Sequence, residues 1–244
     1  MKFILFLICV FIIFGCSNEK RTSDIDLSNF IKPEYSFKGS SFKCELLNDK
    51  TLNSVERFIP KFIDSYLKIG NDSDELFFLF PAYEDQTETN SFELLFIHQE
   101  PDSINKFNLT LVDLEFDDIA NCESSAESSS SFSITKKTIL DTPVIAEILE
   151  CKYKEGFSYA TIKLVFEQFT DALIKNNAPV DILYSEKNNI NKDFRWTNIF
   201  PSFESRRKFL ESWQELEISK NIQLLLLEQS SCQSSKIFFR YKVL

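Results

Sequence analysis

The chain holds a single histidine, His98. An imidazole is the side chain best suited to general acid–base work near neutral pH. It closes the apolar run SFELLFIH, residues 91–98, and no Ser, Cys or Asp stands at a spacing that would complete a triad. His98 therefore reads as a polar residue at a strand end. A lone histidine also removes HExxH and with it most zinc catalysis. Carboxylates are plentiful. Asp113, Glu115 and Asp117 recur at a step of two, which on a strand puts them on one face. Two carboxylates about 5 to 9 Å apart could serve a glycosidase. A solvated strand face, or an acidic patch meeting a basic partner, accounts for the same pattern. No DxDxDG spacing for calcium is present. Trp196 follows Phe194 and Arg195 in the polar stretch KDFRWTNIF and reads as an exposed interface anchor or an ordinary loop staple. Asp113, Glu115, Asp117 and Trp196 form the candidate partner surface. No residue is assigned to catalysis or to a metal, and no cofactor is expected.

Of six cysteines, Cys44, Cys122, Cys151 and Cys232 lie beyond the first 20 residues, and no CxxC occurs. Four scattered cysteines in an exported chain suggest two disulfides rather than a zinc site. Three connectivities are open. Cys44–Cys122 with Cys151–Cys232 is favoured, one clip for each half of the chain.

Only four glycines are present, with no GxGxxG, GxxxxGK[ST] or GxSxG. That argues against nucleotide-binding α/β enzymes and against hydrolases with a nucleophile elbow. Asp and Glu number 37 against 27 Lys and Arg, for a net charge of −10. The basic clusters Arg206-Arg207-Lys208 and Arg240 with Lys242 sit among Glu residues or on an expected strand. No phosphate track is legible, and no nucleic-acid partner is expected.

The amino terminus, MKFILFLICVFIIFGCSNEK, has a positive residue, Lys2, and an apolar run from Phe3 to Phe14. That run is too short for a membrane span and has the form of an export signal. Ile13-Phe14-Gly15-Cys16 resembles the lipobox of bacterial lipoproteins, although Phe14 is bulkier than the usual small residue. The resemblance implies a signal peptide over 1–15 and palmitate-type acylation at Cys16. It further implies a membrane anchor, with the domain in the periplasm at the outer membrane. Several acyl chains would hold a domain stably, at about 0.8 kcal/mol per buried CH₂.

The elements that must position these residues follow from periodicity. Residues 16–38 read as the lipidated Cys and a tether. Leu52, Val55, Phe58, Ile59, Phe62, Ile63 and Tyr66 predict a helix over 51–69, with Pro60 as a fault and Gly70 as the stop. Residues 75–83, 91–98 and 107–116 read as strands of an antiparallel meander. The Ser-rich stretch 121–131 reads as a linker. After it come a possible strand over 132–140, an ambiguous stretch over 143–156 and a helix over 159–175. A strand over 180–184 is followed by a helix over 203–215 with Ser202 as N-cap, then strands over 221–229 and 236–243. The fold class is α+β, antiparallel sheet packed with amphipathic helices. Its halves are an amino-terminal unit, 39–120, and a carboxy-terminal unit, 132–244, separate or continuous. Their order suits internal duplication of a small α+β unit, with no residue-level repeat.

The leading functional reading is a non-enzymatic, membrane-anchored periplasmic protein that binds a protein partner. Its short tether, acidic domain and lack of catalytic motifs look like immunity lipoproteins that neutralise toxins. Alternatives are an envelope structural or assembly lipoprotein, a carboxylate-dependent hydrolase and a lipid-binding carrier.

Overall fold

The computed structural model describes residues 36–82, 90–133, 143–186, 193–233 and 235–244, with the backbone alone over 36–37 and 125–133. The signal, Cys16 and most of the tether lie outside the described residues. The first half runs β1 (Ser36–Leu46), α1 (Leu52–Tyr66), β2 (Glu75–Pro81), β3 (Ser91–His98), α2 (Ser103–Asp113) and β4 (Ala120–Ser133). The second half begins β5 (Val144–Tyr153), α3 (Tyr159–Lys175), β6 (Asp181–Glu186) and β7 (Asp193–Phe200). It continues with α4 (Phe203–Glu215), α5 (Glu217–Gln229), β8 (Ser230–Cys232) and β9 (Lys236–Lys242).

All pairings are antiparallel, in the order β7-β6-β4-β1-β3-β2-β9-β5-β8, and β7 pairs back onto β5. Eight strands thus close into a barrel. β8 and β9 follow each other along one edge of β5, opposite Cys151–Tyr153 and Val144–Ile148, and act as one interrupted strand. Within each half the order is fourth, first, third, second strand: β4-β1-β3-β2 and β9-β5-β7-β6. Two joints, β2–β9 and β4–β6, fuse the halves. The chain is therefore α+β and internally repeated in topology, and the repeated unit is βαββαβ.

Closure gives β2, β3, β5, β6 and β7 buried residues on both faces. Phe77, Leu79, Ile97, Val144, Ala146, Ile148, Leu183, Ile199 and Phe238 fill the lumen. Alternating residues point outward beneath helices. In the first half these include Phe78, Phe92, Leu94 and Phe96; in the second, Phe194, Trp196 and Phe200. That explains the unbroken aromatic run of β2, ELFFLFP.

Local chemistry sets the helices. Val55, Phe58, Phe62 and Tyr66 are the buried stripe of α1, which carries Pro60 in its interior. The Thr51 N–H donates to Ser54 Oγ (3.4 Å), and the Ser158 N–H donates to Thr161 Oγ1 (3.1 Å), half of a capping box at each start. Ser202 caps α4, its Oγ accepting from the Ser205 N–H at 3.1 Å.

Several expectations are corrected. Residues 107–116 are not a strand: α2 takes most of them. Ser103, Phe107 and Thr110 are its buried residues, at helical steps, while Leu109 and Val112 face outward. Residues 221–229 belong to α5, where Ser219, Ile222 and Gln229 are buried and Leu224 and Leu227 exposed. The Ser-rich linker is strand β4, paired with β1 on one edge and β6 on the other; backbone pairing sustains it without an apolar pattern. The ambiguous 143–156 stretch is mainly β5, and the expected meander is interrupted by α2.

Candidate functional site

The two disulfides are Cys44–Cys122 and Cys151–Cys232, as favoured. Each joins the first strand of its half to the last, which aligns the halves residue by residue. Cys44 pairs with Phe92 on β3, and Cys151 with Phe194 on β7. Phe92 thus corresponds to Phe194, Glu93 to Arg195, Leu94 to Trp196, and Phe96 to Asn198.

The correspondence locates the site. In the first half Phe96 stacks on Phe107 of α2, ring centroids 4.5 Å apart, and the space between sheet and helices is filled with aromatic rings. In the second half Asn198 stands in place of Phe96, and two helices, α4 and α5, occupy the place of α2. The chain turns sharply between them at Leu216, which is extended. A cavity of about 430 Å³ opens beneath, within the size range of small-molecule sites.

Its floor is Leu149 of β5 with Trp196 and Asn198 of β7. Phe169 of α3, Phe209, Leu210 and Trp213 of α4, and Gln223, Leu226 and Leu227 of α5 form the walls, and Ser230 and Cys232 close one side. Phe169 meets Trp196 edge-on at 5.3 Å and Trp213 edge-on at 4.8 Å. An Arg206–Glu147 ion pair ties the start of α4 to β5. The walls carry no charge, and the polar groups are two amides and a hydroxyl. Asn198 Oδ1 accepts a 2.7 Å hydrogen bond from the Trp196 indole.

Charge is concentrated inside the barrel instead. The Arg195 guanidinium meets Glu150 (2.6 Å), Glu93 (3.3 Å) and Ser41 Oγ (3.5 Å). Near the pocket's aromatic wall two half-buried phenols, Tyr153 and Tyr159, gather around the buried Tyr184. Tyr153 and Tyr184 share a hydroxyl–hydroxyl hydrogen bond, and Tyr153 donates to Glu186 (3.0 Å). Burial pushes both phenols above their ordinary range. Tyr159, packed on Tyr184, is pushed up to about 12 by burial, with Glu186 and Glu167 adding to it. All three are protonated donors at neutral pH.

The residues singled out from sequence fall differently. Trp196 is not an exposed loop anchor: it lies on β7, 8% exposed, in the pocket floor. Asp113 ends α2, Glu115 takes a left-handed turn (φ 55°), and Asp117 lies in the following 3-10 turn, so they share no strand face. They belong to the first half and do not join Trp196. His98 ends β3 as expected, but is 1% exposed, stacked on Phe96, with Nδ1 against the Glu100 carbonyl (2.9 Å). Sequence reasoning missed Asn198, Phe169 and Phe209. Trp213 falls within the helix expected over 203–215, and nothing in the sequence marks it as a cavity wall; its meeting with Trp196 around Phe169 shows only in the fold. Among the described residues, no group of three or more His, Cys, Asp or Glu could hold a metal ion, and no helix is long and apolar enough to cross a membrane.

The fold is a closed antiparallel barrel of two βαββαβ halves with helices on its outer face. No family model matches the chain, and no curated protein matches its sequence. Solved structures share the fold. A protein of Fusobacterium nucleatum, assigned provisionally as a monooxygenase, aligns with a TM-score of 0.58 at 9% identity, covering 86% of this chain and 94% of its own. The dye-decolorizing peroxidase of Bacteroides thetaiotaomicron aligns at 0.55 and 9%, covering 86% and 94%. Chlorite dismutase of Candidatus Nitrospira defluvii, in complex with imidazole, aligns at 0.55 and 6%, covering 85% and 92%. At such identities the likeness defines the fold alone.

That likeness corrects the leading functional reading. The structures it resembles are named as peroxidase, chlorite dismutase and provisional monooxygenase, not as toxin-immunity or envelope lipoproteins. The toxin-immunity and envelope-lipoprotein readings are corrected on that ground; Asp113, Glu115 and Asp117, which share no face, give the carboxylate-hydrolase alternative no paired carboxylates. The matched structures give no support to membrane anchoring either.

Proposed function

We propose that this chain is a small-molecule-binding barrel whose second half takes an uncharged, flat, largely apolar ligand between β5, β7 and helices α3 to α5. The observation that carries it is the contrast between the halves: one fills the space under its helices with rings, and the other leaves it open at Asn198. An uncharged aromatic lining penalises an ionised ligand by desolvation and favours a flat one through ring contacts. The two disulfides support maturation in an oxidising compartment.

The peroxidases and dismutases of this fold are haem enzymes. Haem iron takes an axial ligand from His, Cys, Met or Tyr. The pocket presents no His, Met or Tyr, its Cys232 is tied in a disulfide, and His98 is buried in the first half. The residues present do not fit haem, and no step through it is drawn for this pocket.

Both tryptophans of the chain line the cavity, so their emission reports on it. Titration of the full chain with naphthalene derivatives is expected to give saturable one-to-one quenching and a raised Tm. Leu149→Phe, which fills the floor, is expected to abolish both while the protein stays folded. Absence of saturable quenching up to the solubility limit of every derivative would overturn the proposal.

A further inference from the structure

Resting on that reading of the pocket, we infer that Asn198 selects the ligand: the site takes flat aromatic molecules that carry a neutral hydrogen-bond acceptor, such as an aryl ketone. The orientation of the amide is fixed by chemistry. An indole N–H only donates. The Asn198 atom 2.7 Å from Trp196 Nε1 must therefore be its carbonyl oxygen. The Asn198 NH₂ group then has no partner among the described residues, and Asn198 lines the cavity.

Asn198 is half-buried, so water meets that donor in the open cavity; a ligand without an acceptor strips the water and leaves the donor unpaired, whereas a ligand acceptor replaces it. Trp196 is itself held, 8% exposed, by edge contacts with Phe166 (4.7 Å) and Phe169 (5.3 Å), so the amide is pre-oriented. The rest of the lining is apolar apart from Gln223 and Ser230 at the margin. A ligand anchored at Asn198 lays its ring system against Phe169 and Trp213. A carboxylate in place of the ketone is disfavoured, because no cationic side chain lines the cavity to balance it.

The test uses a shape-matched pair, 2-acetylnaphthalene and 2-isopropenylnaphthalene, which differ by a carbonyl oxygen against a methylene. Dissociation constants are read from tryptophan quenching of the full chain, corrected for probe absorbance. The ketone is expected to bind about fivefold more tightly, the equivalent of about 1 kcal/mol for one net hydrogen bond. Asn198→Asp keeps an oxygen for the Trp196 indole and replaces the donor with an acceptor. It is expected to erase or reverse that preference and to leave hydrocarbon binding within about twofold. Equal binding of the pair by the native chain, or a preference that survives Asn198→Asp, would overturn the role of Asn198 and leave the pocket standing. Failure of both probes to bind would overturn the pocket itself. A native-like Tm for the variant separates loss of the donor from loss of fold.

Discussion

Arg195 of β7 reaches across the barrel lumen to Glu93 of β3, Nη1 to Oε2 3.3 Å, and the two residues hold the same place in the two halves. β3 and β7 are four strands apart in either direction around the ring. The contact therefore runs along a diameter. It joins the halves through the lumen, where β2–β9 and β4–β6 join them through the wall. Glu150, opposite Arg195 in the β5–β7 ladder, shares the guanidinium. Both members of the diametric pair are about nine-tenths buried, so one guanidinium balances carboxylates that water hardly reaches.

Arg195→Met removes the guanidinium that Glu93, about nine-tenths buried, meets inside the barrel. Removing one partner of a buried pair costs about 3–5 kcal/mol. Urea unfolding is expected to show a loss of that size, partly restored by adding Glu93→Gln. A loss below about 1 kcal/mol would mean that water reaches the cluster.

The disulfides close loops of nearly equal length, with sequence separations of 78 and 81. On the chain-entropy account, equal loops contribute equally, about 4 kcal/mol each. Cys44→Ala with Cys122→Ala, and Cys151→Ala with Cys232→Ala, are expected to destabilise by similar amounts in guanidinium titrations. A large asymmetry would show that native packing at one bridge outweighs loop closure.

Stability is expected to fall in alkali between about pH 10 and 12. Unfolded tyrosines ionise near 10. Burial holds Tyr159 protonated up to about 12, and Tyr153 and Tyr184 are raised as well. Above pH 10 the unfolded chain releases protons that the native chain keeps, so unfolding gains free energy as pH rises. The stabilisation is complete below pH 10 and is lost as pH climbs through the native values. Absorbance at phenolate wavelengths should show a delayed class of tyrosines that titrates together with loss of tertiary signal. Free titration of every tyrosine near pH 10 in the folded protein would contradict this.

Gly70→Ala is expected to destabilise by about 1–3 kcal/mol through overpacking. A Cβ there would stand 2.1 Å from Cε1 of Tyr66, and that ring is pinned by a 2.6 Å hydrogen bond to Asp74. Adding Tyr66→Leu should recover much of the loss in thermal unfolding. An unchanged Tm for Gly70→Ala alone would mean that the ring moves freely.

Periodicity was a sound guide where one face of an element is buried. It placed α1, α3, α4, β3 and β9 closely, and the cysteine count yielded the bridges. It failed where burial is two-sided or absent. Phe107, Leu109 and Leu111 of α2 imitate a strand's alternation because the helix exposes the large apolar Leu109 between two residues that face the core. Ser-rich β4 carries no apolar pattern and is held by pairing on both edges. The pocket was hidden for another reason. Asn198 becomes informative only when set beside Phe96, and that comparison needs the strand register. The repeat showed in the element order but not in the residues: Lys43-Cys44-Glu45 and Glu150-Cys151-Lys152 carry opposite charges around a shared cysteine.

That inversion governs which halves can mate. Lys43 faces Glu93 in one ladder, and Glu150 faces Arg195 in the other. Two copies of the first half, assembled in the same way, would bring carboxylate against carboxylate on the central diameter; two copies of the second would bring guanidinium against guanidinium. Only unlike halves set opposite charges against each other on that diameter. The diametric ion pair is thus a matching code between the two halves, written in opposite charges at equivalent positions.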